Sequence, residues 1–308
     1  MKKSAWNTYE LARVFIYRNA RPLDIALWQY HFENGTSDAV IKALSYYQND
    51  DGGFAHGLEP DSLNPNSSPI QTWVATEIIN EIELNDTNHP MIKKILAYLA
   101  SKQDFHNGFW LNKVKTNNDF PHAPWWHYKE SESVDYNPTA CLAGFIIYYA
   151  DKNSDLFQLG LKIAHQAIAY YQGVKTINEM HTIANYISLL KYIEKANVSN
   201  EFDLDSLKIQ LRKQVTSLIT KDTNTWTSLY ICKPSRFIDG KDSIYYHDNK
   251  ELADYECSFI IQSQLSDGSY EVPWQWQSYQ KEWLISENWW KSDIIIKNML
   301  YLKGFDLL

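Results

Sequence analysis

One recurring string narrows the folds open to this chain more than anything else in it: a glutamine that closes a helical stretch, then glycine, then an aromatic ring six residues on. ALSYYQNDDGGF carries it at Gln48 and Phe54, LAYLASKQDFHNGFW at Gln103 and Phe109, and FIIQSQLSDGSY at Gln264 and Tyr270. LRKQVTSLITKDTNTW has Thr220 in place of the glutamine and reaches Trp226, while AIAYYQ ends at Gln172 and lacks the ring. From Gln48 through 103, 172 and 220 to 264 the spacings are 55, 69, 48 and 44 residues. A loose period of this size predicts a two-helix unit with variable loops. The string has the chemistry of a corner: the glutamine amide donates to carbonyls left open at a helix end, glycine supplies the left-handed residue that stops it, and the ring packs beneath.

Helical periodicity runs through the chain, as in Val40, Leu44 and Tyr47 or Ile92, Ile95, Leu96 and Leu99, and no stretch shows sustained strand alternation. Each glutamine-terminated helix is followed by a more apolar one: 67 to 82, 134 to 150, 178 to 193 and 288 to 302. A helix apolar on most sides has to be enclosed by others, so these are predicted to form an inner ring. The expected fold is all-α, one domain over 1–308, an α/α toroid of about five helix hairpins, opened by an extra helical stretch from 6 to 33.

The strings QNDDGGF and QLSDGSY, with the variant QDFHNGFW, resemble the QW-type repeat of squalene and hopene cyclases, and the alternation of helices is similar to that of protein prenyltransferase β subunits. YYQNDDGGFAHGLEPD with the later SSP, and DGSYEVPWQW, resemble a bacterial group of small squalene-cyclase-like proteins. The resemblance implies an α/α toroid over nearly the whole chain and a terpenoid-cyclase or prenyltransferase-like enzyme. It does not extend to the signatures of the reaction: Asp-x-Asp-Asp and Asp-Asp-x-x-Asp are both missing, and Asp135 and Cys141 stand six apart where the prenyltransferase zinc site uses Asp-x-Cys. No metal and no cofactor is expected.

Composition excludes some partners. Lys and Arg number 29 against 37 Asp and Glu, a net charge of −8 with no dense basic block, so nucleic acid is not an expected partner. The longest apolar run, 141 to 150, is half of the roughly 20 residues that a membrane-spanning helix needs. The amino-terminal segment lacks a secretory h-region, and three widely spaced cysteines fit reduced thiols, so a cytoplasmic location is expected. No Gly-x-Ser-x-Gly string or phosphate-binding loop is present.

Three groups of residues carry candidate chemistry. In AHGLEPD the corner is already complete, yet His56, Glu59 and Asp61 follow, with Pro60 stiffening the link between the carboxylates. Two carboxyls and an imidazole divide acid and base roles when burial or repulsion separates their proton affinities; alternatively they cap helices or pair with a base such as Arg21. At the start of the inner helices, Asp135, Glu179 and His181 are placed either to face a central funnel or to serve as a cap and a satisfied core histidine. The tryptophans Trp125 and Trp126, beside His127, and Trp274, Trp276 and Trp290 either wall a substrate pocket or close the ring.

The expected substrate is a small molecule, apolar and isoprenoid in the leading reading. The alternatives are a carbohydrate, handled by paired carboxylates and stacking indoles, and a non-catalytic binding protein.

Overall fold

The computed structural model describes residues 4–130, 135–174 and 176–308. Val134, with which the second of the four apolar segments begins, lies outside them. The described residues are mostly helical, in eleven α-helices, and their only sheet is one short hairpin. The chain divides into two compact units, residues 44–214 and residues 1–43 with 215–308. Helices α3 (Ser37–Ser45) and α9 (Leu204–Leu218) carry the chain from one unit to the other.

In the unit formed by the two ends of the chain, the stretch expected from 6 to 33 is two helices, α1 (Ala5–Asn19) and α2 (Pro22–Phe32). Ser4 caps α1 through the backbone N–H of Asn7, and proline opens α2, where its missing N–H costs nothing. Both pack on α11 (Gln280–Gly304), which in turn meets α10 (Lys250–Ser263). Trp28 fills the middle and gives its indole N–H to Glu33, which also receives Arg13 and Tyr17.

The unit 44–214 is built on α4 (Pro69–Glu81), α5 (Pro90–Ser101), α6 (Thr139–Tyr149), α7 (Asp155–Gly173) and α8 (Met180–Lys195). Helix α6 is buried on nearly every side, as its sequence predicts, and packs against α7 and α8. Glycines set those approaches: a Cβ on Gly144 would stand 2.9 Å from the Tyr192 ring of α8, and one on Gly160 of α7 would stand 2.8 Å from Ile146. The predicted inner helices thus appear as α4, α6, α8 and the second half of α11, but α6 starts at Thr139, after the cis bond between Asn137 and Pro138.

The corner device exists in two copies, one in each unit. Gln48 donates to the carbonyl of Gly52 at 3.0 Å and to that of Met91, in the first turn of α5, at 3.3 Å. Gln264 does the same to Gly268 at 3.0 Å and to Thr8, in α1, at 2.8 Å. Gly52 has φ +93° and Gly268 φ +95°, and at each an added Cβ would lie 2.1 Å from a carbonyl of the facing helix, Lys94 or Leu11. The acid before each glycine closes the loop, Asp51 accepting from Gly53 N–H and the Ser67 hydroxyl, Asp267 from both donors of Ser269.

The glutamine therefore ties its own loop to a different helix, and this is its main difference from the expected helix-end cap. Gln103 and Gln172 are exposed and make no such clamp. After Gln103 the chain forms the hairpin β1 (Phe105–His106) and β2 (Phe109–Trp110), and the fully buried ring is Trp110, with Phe109 half-buried. At Thr220 the aromatic takes over the bond itself, Trp226 Nε1 donating to the Thr220 carbonyl at 3.1 Å.

Candidate functional site

The segment after the first corner, residues 55–68, is mostly buried although it is neither helix nor strand, with His56 and Asn66 its exposed members. Such a loop folds only if its polar groups find partners. Gln71, in the first turn of α4, accepts the Leu58 N–H at 2.9 Å and donates to the carbonyls of Ser62 and Asn64. Asn64 reaches Thr116 and Asn117 at 2.9 Å each, and Asn117 holds the carbonyl of Trp126 at 3.0 Å. Ser68 caps α4. Gln71, Asn64 and Asn117 are buried amides, so two polar loops are locked to one helix start by neutral hydrogen bonds.

Within this frame Glu59 and Asp61 are 6% and 2% exposed. The Glu59 carboxylate accepts the Asp61 backbone N–H at 3.0 Å, so the Pro60 turn draws the first acid back over the second. The loop then runs antiparallel to a second segment, Ser62 opposite His122, with Ala123 N–H bonded to the Asp61 carbonyl at 2.8 Å and Leu63 N–H to that of Pro121 at 3.0 Å. This pattern makes Ser62 and His122 a close, directly opposed pair. His122 is 6% exposed; its Nδ1 lies 2.6 Å from the Phe120 carbonyl and its Nε2 lies 3.2 Å from Nδ1 of His127.

His56 takes a different place. It is exposed, has φ +63°, and its Nε2 lies 2.9 Å from Asn49 Oδ1, so its ring belongs to the corner. Because the Asn49 amide nitrogen donates to the Pro65 carbonyl, its oxygen accepts and His56 Nε2 carries the proton.

Asp135 and Glu179 meet at the Thr182 hydroxyl, at the start of α8. Glu179 is the N-cap, accepting the backbone N–H of His181 at 3.0 Å and of Thr182 at 2.6 Å. The Thr182 hydroxyl lies 2.9 Å from Glu179 and 3.0 Å from Asp135, whose other oxygen accepts the Asn137 N–H in a turn before α6. Desolvation pushes the Asp135 carboxyl up from its ordinary range and the Glu179 charge adds to this, while the bonds from Asn137 and Thr182 pull it back. Asp135 is thus a turn-former and not the cap of α6, its alternative reading; the cap residue is Pro138. His181 is half-buried with Nε2 4.0 Å from Glu179. Cys141 is fully buried and donates to Glu77 of α4.

Of the tryptophans in this unit, Trp125 is 39% exposed, and half-buried Trp126 has an enclosed indole N–H with no acceptor. In the other unit Trp276 is enclosed against Trp283, whereas half-buried Trp274 and Trp290 meet edge to face at 5.2 Å, again with enclosed and unbonded N–H groups.

Reading the sequence missed His122, Ser62, Gln71, Asn64 and Asn117. Their signal was present: the polar run SLNPNSSPIQ directly after two acids, and a histidine set between prolines in PHAP. Also missed was Glu256 of α10, a buried carboxyl that accepts both the N–H (2.7 Å) and the hydroxyl (2.6 Å) of Ser235. No described helix is long and apolar enough to cross a membrane. Compared with family models, curated proteins and solved structures, this chain matches none.

Proposed function

We propose that the protein is an acid–base enzyme whose chemistry is carried by Glu59 and Asp61, assisted by His122 and His127, on a small-molecule substrate. One observation carries this reading: two carboxyl groups kept nearly free of solvent on an ordered loop, one and three residues along the chain from the bridge that brings in His122. Buried carboxyls on a segment paired with one that carries an imidazole supply the residue types that proton transfer uses.

For the substrate, the leading reading is an apolar, isoprenoid-like molecule, with exposed indole faces such as Trp125 able to hold it or stabilise a cation. It rests on the resemblance of the corner strings to those of cyclases and prenyltransferases, and with it goes the α/α toroid, supported by the helical content and the two matching clamps. A specific observation favours a carbohydrate as second reading: the loops around the acids are rich in neutral amides and hydroxyls, and Trp126 of the same unit has an indole N–H without an acceptor. The test is incubation of wild type, Glu59→Gln and Asp61→Asn with prenyl diphosphates and with oligosaccharides. Turnover of either class, lowered at least a hundredfold in a variant that remains folded, supports the reading and chooses the substrate. Full activity in both variants removes these acids from the chemistry, and no turnover of either class by wild type removes both substrate readings.

A further inference from the structure

The contact between His122 and His127 is informative about protons. Their ring planes are 16° apart and their centroids 5.4 Å apart. A ring radius at each end of the 3.2 Å Nε2 to Nδ1 separation accounts for that distance, so the rings lie edge to edge in nearly one plane, the arrangement of an aligned N–H···N bond. The protons can then be assigned. Phe120 offers a carbonyl, which only accepts, so His122 Nδ1 carries hydrogen. In the neutral pair His122 Nε2 is bare, and the bond between the rings must be donated by His127 Nδ1. This leaves Nε2 of His127 without a proton, on an exposed ring.

We infer that His122 and His127 form a two-imidazole proton relay in which His127 Nε2 is the accepting atom and buried His122 is a positioning residue that holds the charge. The inference deepens the acid–base reading above and rests on it for its use. In the step, a donor X–H loses its proton to His127 Nε2. The Nδ1–H bond of His127 breaks as an N–H bond forms at His122 Nε2, and the positive charge ends on His122, where the Phe120 carbonyl already accepts from its other nitrogen. Release runs the same path backwards. Both nitrogens of the buried ring are engaged, so His127 gives it a route to solvent. The other ionisable groups on the two paired segments are His56, Glu59 and Asp61 on one and, on the one that carries both histidines, Asp119, Tyr128, Lys129 and Glu130.

The test is nitrogen-15 NMR of the full chain labelled at histidine, with the two rings assigned by His122→Phe and His127→Asn. The expected result is that both rings of the neutral pair are Nδ1-protonated, against the Nε2–H preference of free imidazole, and that the pair takes up its first proton as one event seen at both rings. In His122→Phe the His127 ring should return to the Nε2–H form. If that variant fails to fold, His127→Asn serves, and its remaining His122 N–H should exchange with water at least tenfold more slowly than in wild type. An Nε2–H tautomer on His127 in wild type, or two independent titrations, overturns the relay. A relay that is found while Glu59→Gln and Asp61→Asn are fully active keeps this inference and sinks the proposed chemistry of the acids; reduced activity without the relay does the reverse.

Discussion

At the scale of single residues, the polar groups that matter are those the fold has moved away from water. Glu256 is the clearest case: burial pushes its carboxyl up to about 7, against the Ser235 bonds and the nearby Lys233 charge, which pull it down. The folded protein thus holds a proton that the unfolded chain releases near the ordinary glutamate range. That contribution to stability is complete at acidic pH and is lost as pH rises through about 7. Glu256→Gln keeps an acceptor for the Ser235 N–H, and the Ser235 hydroxyl can turn to accept from the new amide. Its thermal midpoint is therefore expected to fall less than that of wild type between mildly acidic and mildly alkaline pH; parallel curves for the two proteins would refute the assignment. The site itself was only partly legible at this scale. Glu59 and Asp61 stood out because carboxylates surplus to a turn are visible in a string, whereas His122 becomes notable only when Ser62 is placed opposite it, which no local pattern encodes.

At the scale of elements, the clamps explain why Gln-x3-Gly is informative. Each glutamine ties its own loop to a neighbouring helix, and each glycine lets that helix approach without a Cβ in the way. Gln48→Ala leaves the two carbonyls without that donor and is expected to cost about 1–3 kcal/mol in urea unfolding. Gly52→Ala should cost more than the glutamine change, since it combines a left-handed φ with a Cβ 2.1 Å from the Lys94 carbonyl. If Gly52→Ala proves the milder of the two, the close approach is not what the glycine serves. Helix placement was readable from the apolar period for α4, α6 and α8, because that period is local. The fate of Gln103 was not: the left-handed residues Lys102, Asp104 and Asn107 turn the chain into a hairpin there, and their preference for this is weak in sequence.

At the scale of the whole molecule, the helical class was legible, since helical content follows from periodicity summed over long stretches. The partition into residues 44–214 and residues 1–43 with 215–308 was not, because it depends on which helices share a core. Within the first unit α6 is buried along almost its whole length, so its amides are expected to exchange with deuterium more slowly than those of the more exposed α7. Equal exchange in the two helices would show that α6 is not the stable centre of that unit.

The discontinuity of the other unit bears on synthesis. A ribosome delivers 44–214 in one uninterrupted stretch, but α1 and α2 emerge before it and must wait for α10 and α11, which follow it. Until then Trp28 and its apolar neighbours lack the core they enter in the folded chain, and the segment of α1 and α2 is exposed to association with other chains or to a chaperone.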